Sequence, residues 1–359
     1  MMQDLTETAR EKFAAQFGCE AQGVVFAPGR VNLIGEHVDY NDGLVLPMPV
    51  KAGTAIAWST GEGSDIEVHA ADLAESDSFP ADAPSKPGQV GWTSYVRGMA
   101  AQWDTPLPGM RLLVTGDLPR GSGLSSSASL CIALGRAFDA ATGGATDPTV
   151  LAKKAQKTEH EYAGVACGIM DQMAVAAGEP CHAMQLDCRD LAYRQVVMPD
   201  DWAVLVVNSG VTRGLVDGEY NARRAQCEAA AAALGVASLR DATMDELAAA
   251  DLPELESRRA SHVVSEIARV REASNALEQG DLAGFGQILR EGHASLRDLF
   301  EVSHPVVDQL VDRLQEIVGE DGGARMTGAG FGGSVVVVTS PGNVAAIEAE
   351  FGDRLLRVT

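Results

Sequence analysis

The sequence predicts two α+β domains, on three observations. The chain has 359 residues, which at ordinary domain sizes makes about two domains. Strand-like and helix-like stretches are mixed without the strict alternation of a doubly wound sheet. No low-complexity linker or internal repeat breaks the chain, and the boundary is expected near 195, giving domains of 1–195 and 196–359. A chain of this length can bury a sizeable core without disulfides or a structural metal.

The elements follow in order. "VVFAPGRVNLI" (24–34) and "GLVLPMPVKAGTAIAWST" (43–60) are β-branched, partly alternating and broken by Gly and Pro, as strands are. "GMRLLVTGDLP" (109–119) reads as a strand entering a glycine-rich loop, and "SSASLCIALGRAFDAAT" (126–142) as the buried helix after it. "PTVLAKKAQKTEHEYAG" (148–164) is a second helix, and "WAVLVVNSG" (202–210) a short core strand. "EYNARRAQCEAAAAALG" (219–235) is helical by propensity, and a helical block fills most of 240–319. "GGARMTGAGFGGSVVVVTS" (322–340) is a glycine loop feeding an apolar strand, and a short closing strand is expected at 355–359.

Composition removes several function classes. A net charge of −22 opposes non-specific binding to nucleic acid or anionic membranes, which need basic surface. An anionic substrate would be repelled too, unless a local site overcame the field. The acidic excess is spread along the chain and reads as a compositional bias rather than a patch. The six cysteines form no CxxC pair and are expected as buried free thiols of a reducing compartment. No apolar run approaches the roughly 20 residues of a membrane span, and the first residues do not form a signal peptide. A cytoplasmic monomer is expected.

Three stretches carry chemistry. "GRVNLIGEHVDYNDG" (29–43) crowds Arg30, Asn32, Glu36, His37, Asp39, Asn41 and Asp42 among valine, leucine and isoleucine. Surface loops rarely hold so many aliphatic residues, and buried strands rarely hold so many charges. "DLPRGSGLSSSASL" (117–130) has glycines where a ligand could approach the backbone, then serines leading into a helix. Exposed N–H groups at a helix start bind phosphate without a lysine; a plain turn with serine N-caps is the alternative. The stretch is not a Walker A loop, and Ser126 stands where a dinucleotide fingerprint needs its third glycine. "TGAGFGGS" (327–334) is either a tight turn or a backbone surface for the first loop.

In that order, "GRVNLIGEHVDYNDGLVLP", "LPRGSGLSSSASL" and "MTGAGFGGS" resemble the three motifs of the GHMP small-molecule kinases, the first in its galactokinase form. "CGIMDQ" (167–172), "WTSYVRG" and "GEYNARRAQCE" are similar to the same family, and the resemblance covers about 20–340. It implies a two-domain GHMP fold with the active site in the cleft between domains. The implied reaction is ATP-dependent phosphorylation of α-D-galactose at its anomeric hydroxyl, with Mg²⁺. A kinase for N-acetylgalactosamine or L-arabinose is an alternative, and so is a non-catalytic galactose sensor. Such sensors lose residues in the serine stretch, which is undamaged in "GSGLSSSASL".

The resemblance also implies roles. Asp171 would be the catalytic carboxylate, as general base or as electrostatic partner, with Arg30 beside it. Glu36, His37, Asp39, Gly168, Asp171 and Tyr220 would contact the sugar. Carboxylates and an imidazole suit hydroxyls, each of which both donates and accepts. Gly121, Ser122, Gly123, Leu124, Ser125, Ser126 and Ser127 would hold the ATP phosphates, and Trp92 would lie on the adenine side. Ser127 and Glu159 would coordinate Mg²⁺. Taken alone, Glu159 reads as a solvated helix charge and its assignment rests on the resemblance; a helix-surface aromatic is the alternative for Tyr220, and a core residue for Trp92. His69, His160, His182, His262, His293 and His304 show no metal-like spacing and are expected to be structural or surface residues.

Overall fold

The computed structural model describes residues 2–119, 121–211 and 216–359; Arg120 of the glycine-loop motif lies outside them. The chain forms two compact units, and they are not divided at a single crossing near 195. One unit holds Met1–Arg30, Val50–Arg120 and Ser125–Ala177; the other holds Val31–Pro49, Gly121–Leu124 and Gly178–Thr359. Residues 31–49 and the glycines of the loop are therefore grouped with the C-terminal half. Long-range hydrogen bonds explain the grouping, among them Arg325 Nη1 to the Leu33 carbonyl and Ser334 Oγ to the Ser122 carbonyl.

In the first unit, five strands form one sheet: β1 (Gly23–Asn32), β3 (Pro47–Thr60), β4 (Asp65–Ala70), β5 (Glu75–Pro80) and β6 (Met110–Gly116), β2 (Leu44–Val45) belonging elsewhere. The order is β1-β3-β6-β4-β5, with β3–β6 and β4–β5 antiparallel and β4–β6 parallel. The helices are α1 (Met2–Phe17), α2 (Trp92–Ala101), α3 (Ser126–Thr142), α4 (Pro148–Thr158) and α5 (Met170–Ala177). The apolar residues of α3 (Ala128, Cys131, Ile132, Ala133, Leu134, Ala137 and Phe138) are buried, so α3 is the central rod of this core. Ser129 fixes it to the sheet, its Oγ donating to the Ala27 carbonyl at 2.9 Å. The start of α3 is thereby held rigidly, which a phosphate-binding helix start requires.

The second unit has two sheets. β2, β7 (His182–Asp187) and β8 (Tyr193–Val197) form the smaller one. The larger has the order β10-β11-β9-β12, from β9 (Ala203–Asn208), β10 (Gly322–Thr327), β11 (Ser334–Thr339) and β12 (Leu355–Arg357), with antiparallel pairing throughout. All six residues of β11 are buried, as "SVVVVT" suggests. The closing strand is shorter than expected and ends at Arg357. The helices are α6 (Val216–Leu234), α7 (Met244–Ala249), α8 (Glu254–Gln279), α9 (Leu282–Ser295), α10 (Pro305–Val318) and α11 (Val344–Phe351). Helix α9 lies backbone-close on β10: a Cβ at Gly286 would come within 2.0 Å of the Gly322 carbonyl oxygen. Any side chain there would push the helix off the sheet.

All six cysteines are free, but Cys19 and Cys181 are exposed rather than buried. No described helix is long and apolar enough to cross a membrane.

Candidate active site

Arg30 and Asp171 meet in the first unit. Arg30 leaves the end of β1, and Asp171 is the second residue of α5. The guanidinium is a planar fork: Nε donates to Asp171 Oδ1 at 2.8 Å and Nη2 to Oδ2 at 2.8 Å. Arg30's side chain is 5% exposed and that of Asp171 30%, so the carboxylate keeps access to solvent while its partner is sealed. Ser125 precedes α3 with left-handed backbone angles (φ 58°, ψ 52°) and does not cap the helix with its side chain. Its Oγ donates instead to Asp171 Oδ2 at 2.5 Å. A serine of the glycine loop thus touches the candidate catalytic carboxylate, a contact that spacing alone could not reveal.

Glu159 sits one turn of chemistry away. The predicted second helix is α-helical only to Thr158 and then widens into a π-turn over Glu159–Ala163, a distortion frequent at functional sites. Glu159 is buried, which rules out a solvated helix charge. Gln172 Nε2 donates to its Oε1 at 2.7 Å, and the Ser127 hydroxyl is near. Burial pushes the Glu159 carboxyl up to about 7 and the Asp171 charge adds to this, while Gln172, Ser127 and the Arg30 charge pull it back.

That shift predicts a stability effect. Between its ordinary 4.5 and about 7, the folded protein holds a proton on Glu159 that the unfolded chain has released. The contribution is therefore fully present below pH 4.5 and is lost as pH rises through about 7. Its size is on the order of 3 kcal/mol. Urea unfolding of metal-free protein should show the parent losing stability relative to Glu159→Gln across this window. A difference between the two that stays constant with pH would contradict the burial of an ionisable group here.

Gly168 is buried in the loop before α5. Trp92 begins α2, packs at the margin of the core and donates Nε1 to Glu75 Oε2 at 2.6 Å.

The polar turn belongs to the second unit, and its irregularity has a local cause. Gly35 (φ 100°), His37 (φ 61°) and Asp42 (φ 55°) all take left-handed angles. A Cβ on Gly35 would also lie 2.9 Å from the Leu44 carbonyl oxygen. Both reasons demand glycine. Several polar groups of the turn find protein partners, although the buried side-chain amide of Asn32 has none among the described residues. Glu36 Oε1 accepts from Thr327 Oγ1 at 3.2 Å and the Gly328 N–H at 3.1 Å, and its Oε2 lies 2.5 Å from Arg325 Nη2. The Glu36 carbonyl is 3.1 Å from His262 Nε2. His37 Nδ1 is 2.9 Å from Tyr40 Oη, and its Nε2 is 3.1 Å from the Ala329 carbonyl. A carbonyl only accepts, so Nε2 carries the proton and Nδ1 accepts from the phenol. Both ring nitrogens are thus engaged with protein, and reaching a hydroxyl through either would mean giving one of these bonds up. Asp39 Oδ1 accepts from the Tyr40 N–H at 3.0 Å. Tyr220 of α6 places its ring 5.4 Å from His37 and 5.5 Å from Tyr40.

The glycine loop is anchored within this unit: Gly121 (φ 69°) and Gly123 (φ 77°) are left-handed, and Ser334 Oγ donates to the Ser122 carbonyl at 2.7 Å. Ser122 and Leu124 are buried. The third motif therefore braces the second as the sequence allowed, with strand β10 preceding it where only a loop was expected.

Thus Arg30, Asp171, Ser125, Ser127 and Glu159 form one connected set, and Glu36, His37, Asp39 and Tyr220 another. Gln172, His262, Glu266, Thr327 and Arg325 support them unforeseen. His262 and Glu266 recur on one face of α8 at i, i+4, a polar stripe that normally faces water but here is buried. Burial alone would push Glu266 up, but the charges of Arg325 and Arg269 outweigh it and hold it at about 2. Burial pushes the His262 imidazole down to about 4, so it is neutral at pH 7.

Comparison with known proteins agrees with this geometry. A family model described as the galactokinase galactose-binding signature matches residues 11–60. The GHMP kinases N terminal domain matches 94–179, and the GHMP kinases C terminal domain matches 273–355. The crystal structure of Lactococcus lactis galactokinase complexed with galactose is 33% identical, covering 98% of this chain and 97% of its own, with a TM-score of 0.91. The mevalonate kinase of Methanococcus jannaschii is 16% identical, covering 93% and 97%, at 0.65. Phosphomevalonate kinase of Streptococcus pneumoniae, in complex with phosphomevalonate and AMPPNP, is 14% identical, covering 94% and 100%, at 0.67. The last two share the fold alone.

Proposed function

This chain belongs to the galactokinase family of GHMP kinases, and from that premise we propose how its residues transfer the γ-phosphoryl of ATP to the anomeric oxygen of α-D-galactose. The observation that carries the reading is the carboxylate of Asp171, gripped by the Arg30 fork and by Ser125 of the glycine loop. In the step, the anomeric oxygen forms a bond to the γ-phosphorus while the bond from that phosphorus to the β,γ-bridging oxygen of ATP breaks. The hydroxyl proton passes to Asp171. Arg30 fixes the carboxylate in one plane and offsets charge that develops as the phosphoryl group moves. Because phosphoryl transfer runs largely on positioning, the fork matters as much as the basicity of Asp171.

Glu36, Asp39, Tyr220, Gly168 and the His37 segment receive the sugar in this reading. The glycine loop Gly121–Leu124 and the start of α3 at Ser125, Ser126 and Ser127 receive the phosphates, and Trp92 lies on the adenine side. The helix start answers the repulsion set by a net charge of −22, since its N–H groups offer fixed partial positive charge.

Ser127 and Glu159 fit Mg²⁺. Both offer hard oxygens, and the Ser127 hydroxyl lies near enough to Glu159 to help its ionised form. A buried carboxylate driven to about 7 gains most from a nearby cation. When bound, the ion offsets charge on the triphosphate. Ser127→Ala and Glu159→Gln should each shift the Mg²⁺ titration of turnover to higher concentration, while galactose affinity without metal stays the same. Parent-like titrations for both variants would remove the pair as ligands. The reading also places the protein in the cytoplasm as a monomer.

An ADP-release assay across galactose, N-acetylgalactosamine, L-arabinose and glucose tests the reaction itself. Galactose should give the highest kcat/KM. Saturable galactose binding without ADP release would instead favour a sensor.

A further inference from the structure

We infer that Arg325, held by Glu266, is a positioning residue that sets the Glu36 carboxylate for sugar recognition, an inference that rests on Glu36 contacting the sugar as proposed above. Arg325 is fully buried on β10. Its Nη2 lies 2.5 Å from Glu36 Oε2 and donates to Glu266 Oε1 at 3.1 Å, while Nη1 donates to the Leu33 carbonyl at 3.0 Å. One guanidinium thus ties together the backbone just past β1, the turn's own carboxylate and helix α8.

Glu266 is shared in turn: its Oε1 accepts the Gly35 N–H at 3.0 Å and its Oε2 accepts Arg269 Nε at 2.8 Å. Consecutive residues are thereby fixed by the same pair, Gly35 through its backbone and Glu36 through its side chain. His262, from the preceding turn of α8, holds the Glu36 carbonyl and is itself set by Ser295 Oγ at 2.8 Å.

A buried ion pair is a poor way to gain stability, because apolar residues of similar volume usually do as well or better. What it supplies is direction. Oε2 is paired with the Arg325 guanidinium and Oε1 accepts from Thr327 and Gly328, so both oxygens are held from the protein side. A hydroxyl then meets its acceptor already aimed, and misplacement by about 1 Å can cost on the order of 10²-fold.

The test is galactose binding by calorimetry, without nucleotide, to the parent, Arg325→Lys, Glu36→Gln and the double variant. Lysine keeps the charge but cannot span three acceptors with a fork. Each single variant should weaken galactose by about 10- to 100-fold, with one site per chain and ATP affinity unchanged. The double variant should be no weaker than the weaker single, because Arg325 acts only through Glu36. A purely structural arginine would instead lower the fraction of protein that binds, at unchanged galactose Kd, and would overturn the inference. So would losses that multiply in the double variant. If Glu36→Gln alone leaves galactose Kd unchanged, the assignment of Glu36 to the sugar fails first and the role of Arg325 falls with it. Should Arg325→Lys not fold, Glu266→Gln keeps both arginines and must show the same coupling to Glu36→Gln; an unchanged Kd there overturns the inference.

Discussion

Asp171→Asn is expected to bind galactose within several-fold of the parent while turnover falls by about 10²–10⁴. The substitution keeps size but leaves one oxygen where the carboxylate had two. Arg30 presents N–H groups to both positions at 2.8 Å, and Ser125 presents its hydroxyl at 2.5 Å. One of these donors must then face the new amide N–H₂, and the group loses both its charge and its capacity to take a proton. Sugar affinity rests mainly on the turn around Glu36 and Asp39 in this account, so kcat should carry most of the loss. Steady-state kinetics with direct galactose binding separate the two. A larger loss in binding than in turnover would make Asp171 a substrate holder instead.

Arg30→Lys should lower turnover by about 10²-fold or more, because an ammonium cannot reproduce the paired bonds of a planar fork. The variant keeps the net charge, so the long-range field acting on ATP is unaltered. If Arg30 and Asp171 act as a unit, their losses will not add, and the double variant should be about as slow as the slower single one. Single-turnover rates measure this without interference from product release. Near-parental rates in both single variants would remove the pair from the mechanism.

The sequence was most legible where backbone and side chain demand the same thing. The unbroken run of valines in β11 and the propensity of α6 left few other structures open. The charged, aliphatic turn at 29–43 signalled a site because nothing ordinary explains such a mixture. Strands β4 and β5 were illegible: "DIEVHA" and "ESDSFP" are short, and though they pair with each other locally, the sheet place of β4 is decided by β6, distant in sequence. Strand β10 was hidden by its glycines, which serve close approach to α9 rather than a turn. The grouping departs from chain order because Leu33 and Ser122 are bonded to Arg325 and Ser334 of the C-terminal half.

Within the site, residue identities could be read but partnerships could not. Glu159 looked like any helix carboxylate until its burial and its bond to Gln172 appeared. Ser125 looked like a helix cap, and its hydroxyl turned out to point at Asp171. His262 and Glu266 sit on a stripe that amphipathic reasoning assigns to solvent, whereas burial on α8 turns it inward. His37 was expected to read the sugar with its ring, yet both nitrogens are engaged by Tyr40 and Ala329.

The most direct test of the account is to identify the product. Protein, Mg²⁺, ATP and galactose should yield ADP and α-D-galactose 1-phosphate in equal amounts, followed by phosphorus and proton NMR. Glucose should give a kcat/KM lower by roughly 10³-fold or more, because a misplaced hydroxyl leaves buried polar partners unsatisfied. ADP without a sugar phosphate, phosphate on any other hydroxyl, or glucose turned over as efficiently as galactose would contradict it.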